Sequence, residues 1–384
     1  MTQKILYLVS EDWYFVSHRI PMARAARRVG YEVHVAARVD KCAAQITQEG
    51  FVLHPICWRR GNLNPFRVLA AVLETRRLCR QLRPDLVHHV ALVPALIGSL
   101  AALGLPLVRL NAIAGLGFAF TSDSAKARMV RPIARRLLGW LLRRPHTTVL
   151  VQNPDDYGVM VGLGVPRESI ALIAGSGVDT DVLPPMPEPS GPFTIGFVGR
   201  LLDDKGVRTL VAAHEELTQR GLTLCTLLAG EPDPSNPASI PDRILDGWRQ
   251  ISALRLLGHV ADIRTVWSEA HVAVLPSRRE GLPKSLLEAA ACARPLIATD
   301  VPGCREIARD GTNALLVPPD DSKALATAIE TLMKDRDLRI RFGQASRQIV
   351  TAEYSSARIG GQTVALYSRL LEPGSSSKLR AGTT

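Results

Sequence analysis

Short runs of consecutive apolar residues recur along this chain, and longer stretches with helical periodicity separate them. KILYLVS (4–10), YEVHVAA (31–37), FVLHPIC (51–57), DLVHHVA (85–91), PLVRLNA (106–112) and TTVLVQN (147–153) are too uniformly apolar to be half-exposed strands. They predict strands covered on both faces. HRIPMARAARRVG (18–30), reached after a long loop, predicts a helix stopping at Gly30, and NPFRVLAAVLETRRLCRQLR (64–83) an amphipathic helix ending before Pro84. The alternation breaks at LPPMPEPSGP (183–192), where five of ten residues are proline, and this reads as a stiff linker. A second alternation follows: TIGFVGR, a helix over 205–221, TLCTLLAG, LRLLGHV, AVLPS, RPLIATD and ALLVPP. The pattern predicts an α/β protein of two Rossmann-like, doubly wound domains with a cleft between them, ligands lying at the carboxyl ends of strands. The expected boundaries are 1–182, a linker over 183–192, and 193–352, with a last helix over 353–371 joining the first domain. Residues 373–384 are expected to be a frayed tail.

Composition narrows the class. Of the 384 residues 46% are hydrophobic and 22% charged, which excludes a mostly disordered chain. The six cysteines (Cys42, Cys57, Cys79, Cys225, Cys292, Cys304) form no CxxC pair, favouring reduced thiols in a cytoplasmic protein. MTQKILYLVSEDWY reads as a first strand, with no small-residue cleavage signal. VALVPALIGSLAALGLPLV (90–108) is broken by Pro, Gly and Ser, and reads as a strand end, a buried helix and another strand, with no membrane span.

The net charge is +11, and residues 121–150 hold seven cations (Lys126, Arg128, Arg131, Arg135, Arg136, Arg143, Arg144) against one acid, Asp123. Val130, Ile133, Leu137 and Leu141 share that segment at helical spacing, with Trp140 nearby. A basic amphipathic helix over 125–144 fits an anionic membrane surface, a solvated face being the alternative. Aromatic content of 5% and the lack of a binding motif argue against nucleic acid.

The candidate chemistry lies in the second half. HVAVLP (271–276) is a strand, and Gly281 and Pro283 open the helical stretch SLLEAAACA. Glu280 therefore sits in a loop at a strand's carboxyl end beside a helix N-terminus, and Glu288 on the second helical turn. Amides at such a terminus suit phosphate, and a carboxylate slightly further in suits sugar hydroxyls. GFVGRLLDDKGV (196–207) places Gly199, Arg200, Lys205 and Gly206 at another strand end. Two cations with helix-terminal amides can neutralise a diphosphate without a metal. Asp179-Thr180-Asp181 and Asp335-Arg336-Asp337 have an Asp-x-Asp spelling, but one abuts the linker and the other lies on a predicted helix, so neither reads as a metal site.

These motifs, with SGVD (176–179), PSRREGLPKSLLEAAACARPLIATDVPGCREI and DGTNALLVPPDD (310–321), resemble the retaining glycosyltransferases of family four, of GT-B architecture. The resemblance spans nearly the whole chain. It implies Arg200 and Lys205 as the clamp on the donor diphosphate, together with Gly199. It implies Glu288 on the nucleotide ribose, and Glu280, Gly281 and Leu282 on donor sugar and phosphates. Lys284, often apolar in relatives, adds charge near phosphate. Transfer is then front-face, the leaving phosphate accepting the acceptor's proton, with Glu280 as a positioning residue and no metal or other cofactor. EDWYFVSHRIP, PDLVHHV and NAIAGLG resemble members that extend polyprenyl-diphosphate-linked glycans at the cytoplasmic membrane face. His18, Arg19, His88, His89 and Asn111 are the acceptor-side candidates, with one of His88 and His89 facing the cleft and the other buried. Two departures stand out: Asn111-Ala112 where many members carry a His, and a first loop without paired glycines. The donor is expected to be a nucleoside diphosphate sugar, UDP-linked by resemblance. A nucleotide-sugar epimerase of the same architecture would form product from donor alone. A catalytically silent nucleotide-binding scaffold would have no use for Arg200, Lys205, Glu280 and Glu288 together.

Overall fold

The computed structural model describes residues 2–58, 64–113, 135–234 and 236–372. The chain divides into two units. The first runs to Ser176 and is completed by the helix Ser356–Leu371; the second is Gly177–Ser355.

In the first unit seven parallel strands lie in the order β3-β2-β1-β4-β5-β6-β7. They are β1 Lys4–Glu11, β2 Glu32–Arg38, β3 Val52–Pro55, β4 Leu86–Val90, β5 Val108–Ala112, β6 Thr147–Val151 and β7 Ile170–Leu172. β4 and β6 are buried along their full length, because helices cover both faces of the sheet. Side-chain alternation sorts the two covering layers. Leu6, Leu8 and Val87 pack with Ala71 and Cys79 of helix Pro65–Leu82 and Ile97 of helix Leu92–Ala101. Ile5, Tyr7 and Val9 face the other way, onto Ala23 of helix Ile20–Arg28 and Ile359, Leu366 and Tyr367 of the last helix. Gly360 permits that last contact, since a Cβ there would come 2.8 Å from Cβ of Ala25.

Local signals explain the helix ends. Asn64 accepts from the amide of Phe66 and Pro65 takes the first position of its helix, while Arg83, at φ 51°, closes it just before Pro84. The stretch expected to be a long loop after β1 is instead the helix Asp12–His18, entered directly from the strand. Residues 90–108 form a strand end, a helix and the approach to β5, and no helix among the described residues is long and apolar enough to cross a membrane.

The second unit has six parallel strands in the order β10-β9-β8-β11-β12-β13: β8 Thr194–Val198, β9 Cys225–Ala229, β10 Leu254–Gly258, β11 Val272–Leu275, β12 Leu296–Thr299 and β13 Ala314–Val317. The chain leaves β8 toward β9 and returns on the far side as β11, so the order reverses between these two neighbours. Such a reversal opens a crevice at the carboxyl ends of the strands.

The proline-rich stretch is bonded to the second unit and does not hang free. Arg347 donates to the carbonyls of Thr180, Leu183 and Ala291, at 2.9, 2.7 and 2.8 Å. Arg294 donates to the carbonyl of Pro187 at 2.7 Å, and Glu188 pairs with Arg336 and Arg339. Proline supplies stiffness there, and the arginines fix its position.

Candidate active site

β8 ends at Val198, and the chain turns outward through Gly199 and Arg200. The Gly199 amide donates to the carbonyl of Ala229. Gly230, at φ 141°, lies so near that a Cβ on it would stand 1.9 Å from the carbonyl oxygen of Gly199. Arg200 ion-pairs with Asp233 through Nη1, at 2.6 Å. A short turn, Asp203–Lys205, then leads to Gly206, whose φ of 69° opens helix Val207–Gln219. A Cβ on Gly206 would lie 1.9 Å from the carbonyl oxygen of Pro276. The amide of Arg278 donates to the carbonyl of Asp204 at 2.9 Å. The turn after β8 is thereby docked on the loop after β11, the two strands being paired at Ile195–Val272 and Gly196–Ala273.

This docking brings Lys205 to Glu280. Lys205 Nζ is 2.5 Å from Glu280 Oε1, and the hydroxyl of buried Ser277 donates to the same oxygen at 2.7 Å. The hydroxyl of Thr299 in turn donates to the carbonyl of Ser277. Gly303, at φ 81°, closes the loop from beneath; a Cβ there would come 2.4 Å from the carbonyl oxygen of Gly281 and 2.6 Å from that of Glu280.

Helix Lys284–Ala291 begins immediately after Pro283, and no side chain caps its first amides. Lys284 Nζ lies 3.2 Å from Glu288 Oε1 one turn on. Burial raises the pKa of Glu288, and the Lys284 ammonium partly offsets the shift. Gly281 and Leu282 lie between Glu280 and this helix, partly exposed.

The structure thus gathers Arg200, Lys205, Glu280, Lys284 and Glu288 around the carboxyl ends of β8 and β11. Each cation rests on an acid: Arg200 on Asp233, Lys205 on Glu280, Lys284 on Glu288. Sequence reading missed Asp233 and Gly303, which no spacing or periodicity links to the residues they touch, and Ser277, for which the Ser-x-x-Glu spacing to Glu280 was the available signal. Asp179 accepts from the amides of Asp181 and Val182, and Asp335 caps helix Arg336–Glu353; both are local backbone roles. Among the described residues no group of three or more His, Cys, Asp or Glu is arranged to hold a metal ion.

The acceptor-side candidates are placed differently. His88 and His89 project to opposite faces of β4, yet both are fully buried, correcting the expectation that one is open. β4 is central in the sheet, and helices cover it on both sides. His88 Nδ1 is 2.6 Å from the hydroxyl of Tyr367, itself 2.7 Å from that of Tyr7. Burial holds the His88 pKa well below its ordinary value, and the nearby charge of Arg19 lowers it further. Asn111 is also fully buried; its Oδ1 accepts from Ser99 at 3.1 Å and lies 2.8 Å from His89 Nδ1. Burial pushes the His89 pKa down to about 4, so the ring is neutral. Arg19 is 1% exposed and donates to Met22 Sδ at 3.4 Å. Of the five, only His18 keeps exposed surface, stacked on Tyr14 with ring centroids 4.3 Å apart. Half of the basic segment over 125–144, residues 125–134, lies outside the described residues. Within the described part Arg135 and Arg136 are exposed, and Arg144 lies over the ring of Trp140 at 3.9 Å.

Both units match glycosyltransferase families. A family model described as glycosyl transferases group 1 covers residues 192–335, and one described as glycosyl transferase 4-like covers residues 4–153. The chain is 24% identical over 365 residues to N,N'-diacetylbacillosaminyl-diphospho-undecaprenol alpha-1,3-N-acetylgalactosaminyltransferase of Campylobacter jejuni, covering 92% of this chain and 95% of that protein. It is 25% identical over 383 residues to the capsular polysaccharide biosynthesis glycosyltransferase CapM of Staphylococcus aureus, covering 96% and 98%. Among solved structures, HepE of Anabaena in complex with UDP and glucose superposes with a TM-score of 0.75 at 18% identity, covering 95% and 99%. With one glycosyltransferase domain in each unit, the chain belongs to the glycosyltransferases of GT-B fold.

Proposed function

We propose that this glycosyltransferase moves a sugar, with retention, from a nucleoside diphosphate sugar to a lipid-linked glycan in cell-surface polysaccharide synthesis. The observation that carries this reading is the Lys205–Glu280 pair with Arg200 nearby, at the point where strand order reverses and beside an uncapped helix start. In the front-face reaction the bond from anomeric carbon to phosphate oxygen breaks, negative charge develops on the departing diphosphate, and that phosphate takes the proton of the attacking hydroxyl on the same face. Fixed cations aimed at the leaving group lower this barrier. Arg200 and Lys205 supply them by exchanging their acid partners for phosphate oxygens, and we assign the neutralisation to them without a metal. Released by Lys205 and held by Ser277, Glu280 meets the donor sugar as a positioning residue. Glu288 receives the ribose hydroxyls, and Gly199, Gly281, Leu282 and Lys284 complete the donor contacts.

UDP is the nucleotide we favour, on the likeness to HepE, whose structure holds it. The name of the Campylobacter relative, a diphospho-undecaprenol-linked sugar, supports a polyprenyl-diphosphate acceptor. His18 is the acceptor-side residue we carry forward, and the setting is the cytoplasmic membrane face. Replacing Lys205 with Ala is expected to lower turnover by about 10²–10³ while leaving the melting temperature within a few degrees. Transfer at the wild-type rate by a folded Lys205→Ala enzyme would remove the assignment.

A further inference from the structure

Helix Pro65–Leu82 covers one face of the first sheet, and its outward side is unlike an ordinary solvated surface. Ala71, Thr75 and Cys79 point inward and are buried. On the opposite side, at about 100° per residue, Phe66, Leu69, Leu73, Arg77 and Arg80 fall within an arc of roughly 100°. Phe66 is 82% exposed, Leu69 56% and Leu73 58%. The outward centre of a surface helix is normally polar, and single exposed apolar residues are commonplace, but three on one stripe are not. The C-terminal half of that stripe is basic. The one acid of the helix, Glu74, stands on its flank and accepts from the amide of Cys57 at 3.0 Å.

The neighbouring layer has the same character. Right-handed crossovers place helix Leu92–Ala101 and the helical residues 135–142 on the same face of the sheet, where Leu138 and Leu142 pack with Ala95, Val149 and Val151. Arg135, Arg136, Leu137 and Trp140 are exposed there.

We propose that the outward stripe of helix Pro65–Leu82 docks on an anionic lipid bilayer. Phe66, Leu69 and Leu73 enter the boundary between headgroups and acyl chains, while Arg77 and Arg80, with Arg67 at the flank, meet headgroup phosphates. The charge pattern favours lipid over a second copy of the chain. Two such helices packed together would bury Arg77 and Arg80 against apolar groups or against each other, with no acid to receive them. A bilayer offers apolar depth and phosphate at one surface.

Flotation of the full chain with vesicles of mixed phosphatidylglycerol and phosphatidylcholine, against phosphatidylcholine alone, tests this. The expected result is binding to the anionic vesicles that weakens in high salt. It should fall at least tenfold in the variant Phe66→Ser, Leu69→Ser, Leu73→Ser and in the variant Arg77→Glu, Arg80→Glu. All five side chains are exposed, so both variants should melt as the wild type does, and turnover on a water-soluble acceptor should not change. Wild-type partitioning by both variants would overturn the proposal. So would a concentration-dependent dimer that the serine substitutions dissociate, in a chain with no affinity for vesicles. The inference extends the reading of a lipid-linked acceptor, but vesicle binding needs neither donor nor acceptor. Its failure is thus distinguishable from failure of the transferase assignment.

Discussion

Glu288 shows how the interior of a fold sets the chemistry of one side chain. It stands on the second turn of its helix with 15% of its side chain exposed, and Lys284 is its ion-pair partner. Burial favours the protonated form, which raises its pKa, and Lys284 pulls the other way. If the ionised carboxylate receives the ribose hydroxyls, donor affinity must weaken as pH falls toward that raised pKa, because protonation removes an acceptor site. Glu288→Gln is expected to raise the donor KM roughly ten- to a hundredfold, the range of a hydrogen bond to a charged group, and to abolish this acid limb. A Gln variant that keeps the wild-type pH dependence of KM would place the titrating group elsewhere. Lys205 and Glu280 follow similar logic. Once Lys205 moves to the diphosphate, the Ser277 hydroxyl, 2.7 Å from Glu280 Oε1, still fixes the carboxylate as a positioning group.

At the scale of elements, the site depends on two loops being locked together, and Gly206 is the lock. Its φ of 69° and the Pro276 carbonyl oxygen 1.9 Å from where a Cβ would stand leave room for glycine alone. Gly206→Ala should destabilise the second unit by more than about 2 kcal/mol, combining backbone strain with a steric clash. Gly311→Ala is the matched control. Its φ is 67° but nothing lies within 4 Å, so only the strain of about 1 kcal/mol applies. Thermal melts of the two variants compare the costs; equal shifts would refute the locking role. Much of this architecture was legible in the sequence, because doubly buried strands are uniformly apolar and Gly, Pro and Asn mark their ends. The helix Asp12–His18 was not, since Trp13, Tyr14, Phe15 and Val16 run together without a helical period. His88 and His89 were misread for a related reason. Alternation separates their faces, but only the packing of a helix layer on each side shows that neither face is open. Asp233 was invisible because its partner Arg200 is set by three-dimensional docking and no local rule names it, whereas Ser277 stands three residues before Glu280 and was overlooked.

Across the whole molecule, charge and apolar surface are unevenly shared. The donor-side cations Arg200, Lys205 and Lys284 lie within Gly177–Ser355, each on an acid, whereas the first unit carries exposed arginines beside exposed Phe66, Leu69, Leu73 and Trp140. The proline-rich stretch is tied to the second unit by Arg294 and Arg347, so proline content revealed where the chain is stiff but not which unit holds it. The account depends most on the claim that Arg200 and Lys205 grip a diphosphate without help from a divalent cation. Calorimetric titration of UDP into the full chain in the presence of EDTA tests it directly. The predicted result is a dissociation constant unchanged by added Mg²⁺ and weakened roughly ten- to a hundredfold by Lys205→Ala, as expected for loss of one charge-assisted hydrogen bond. Binding that appears only with Mg²⁺, or that Lys205→Ala leaves intact, would contradict it.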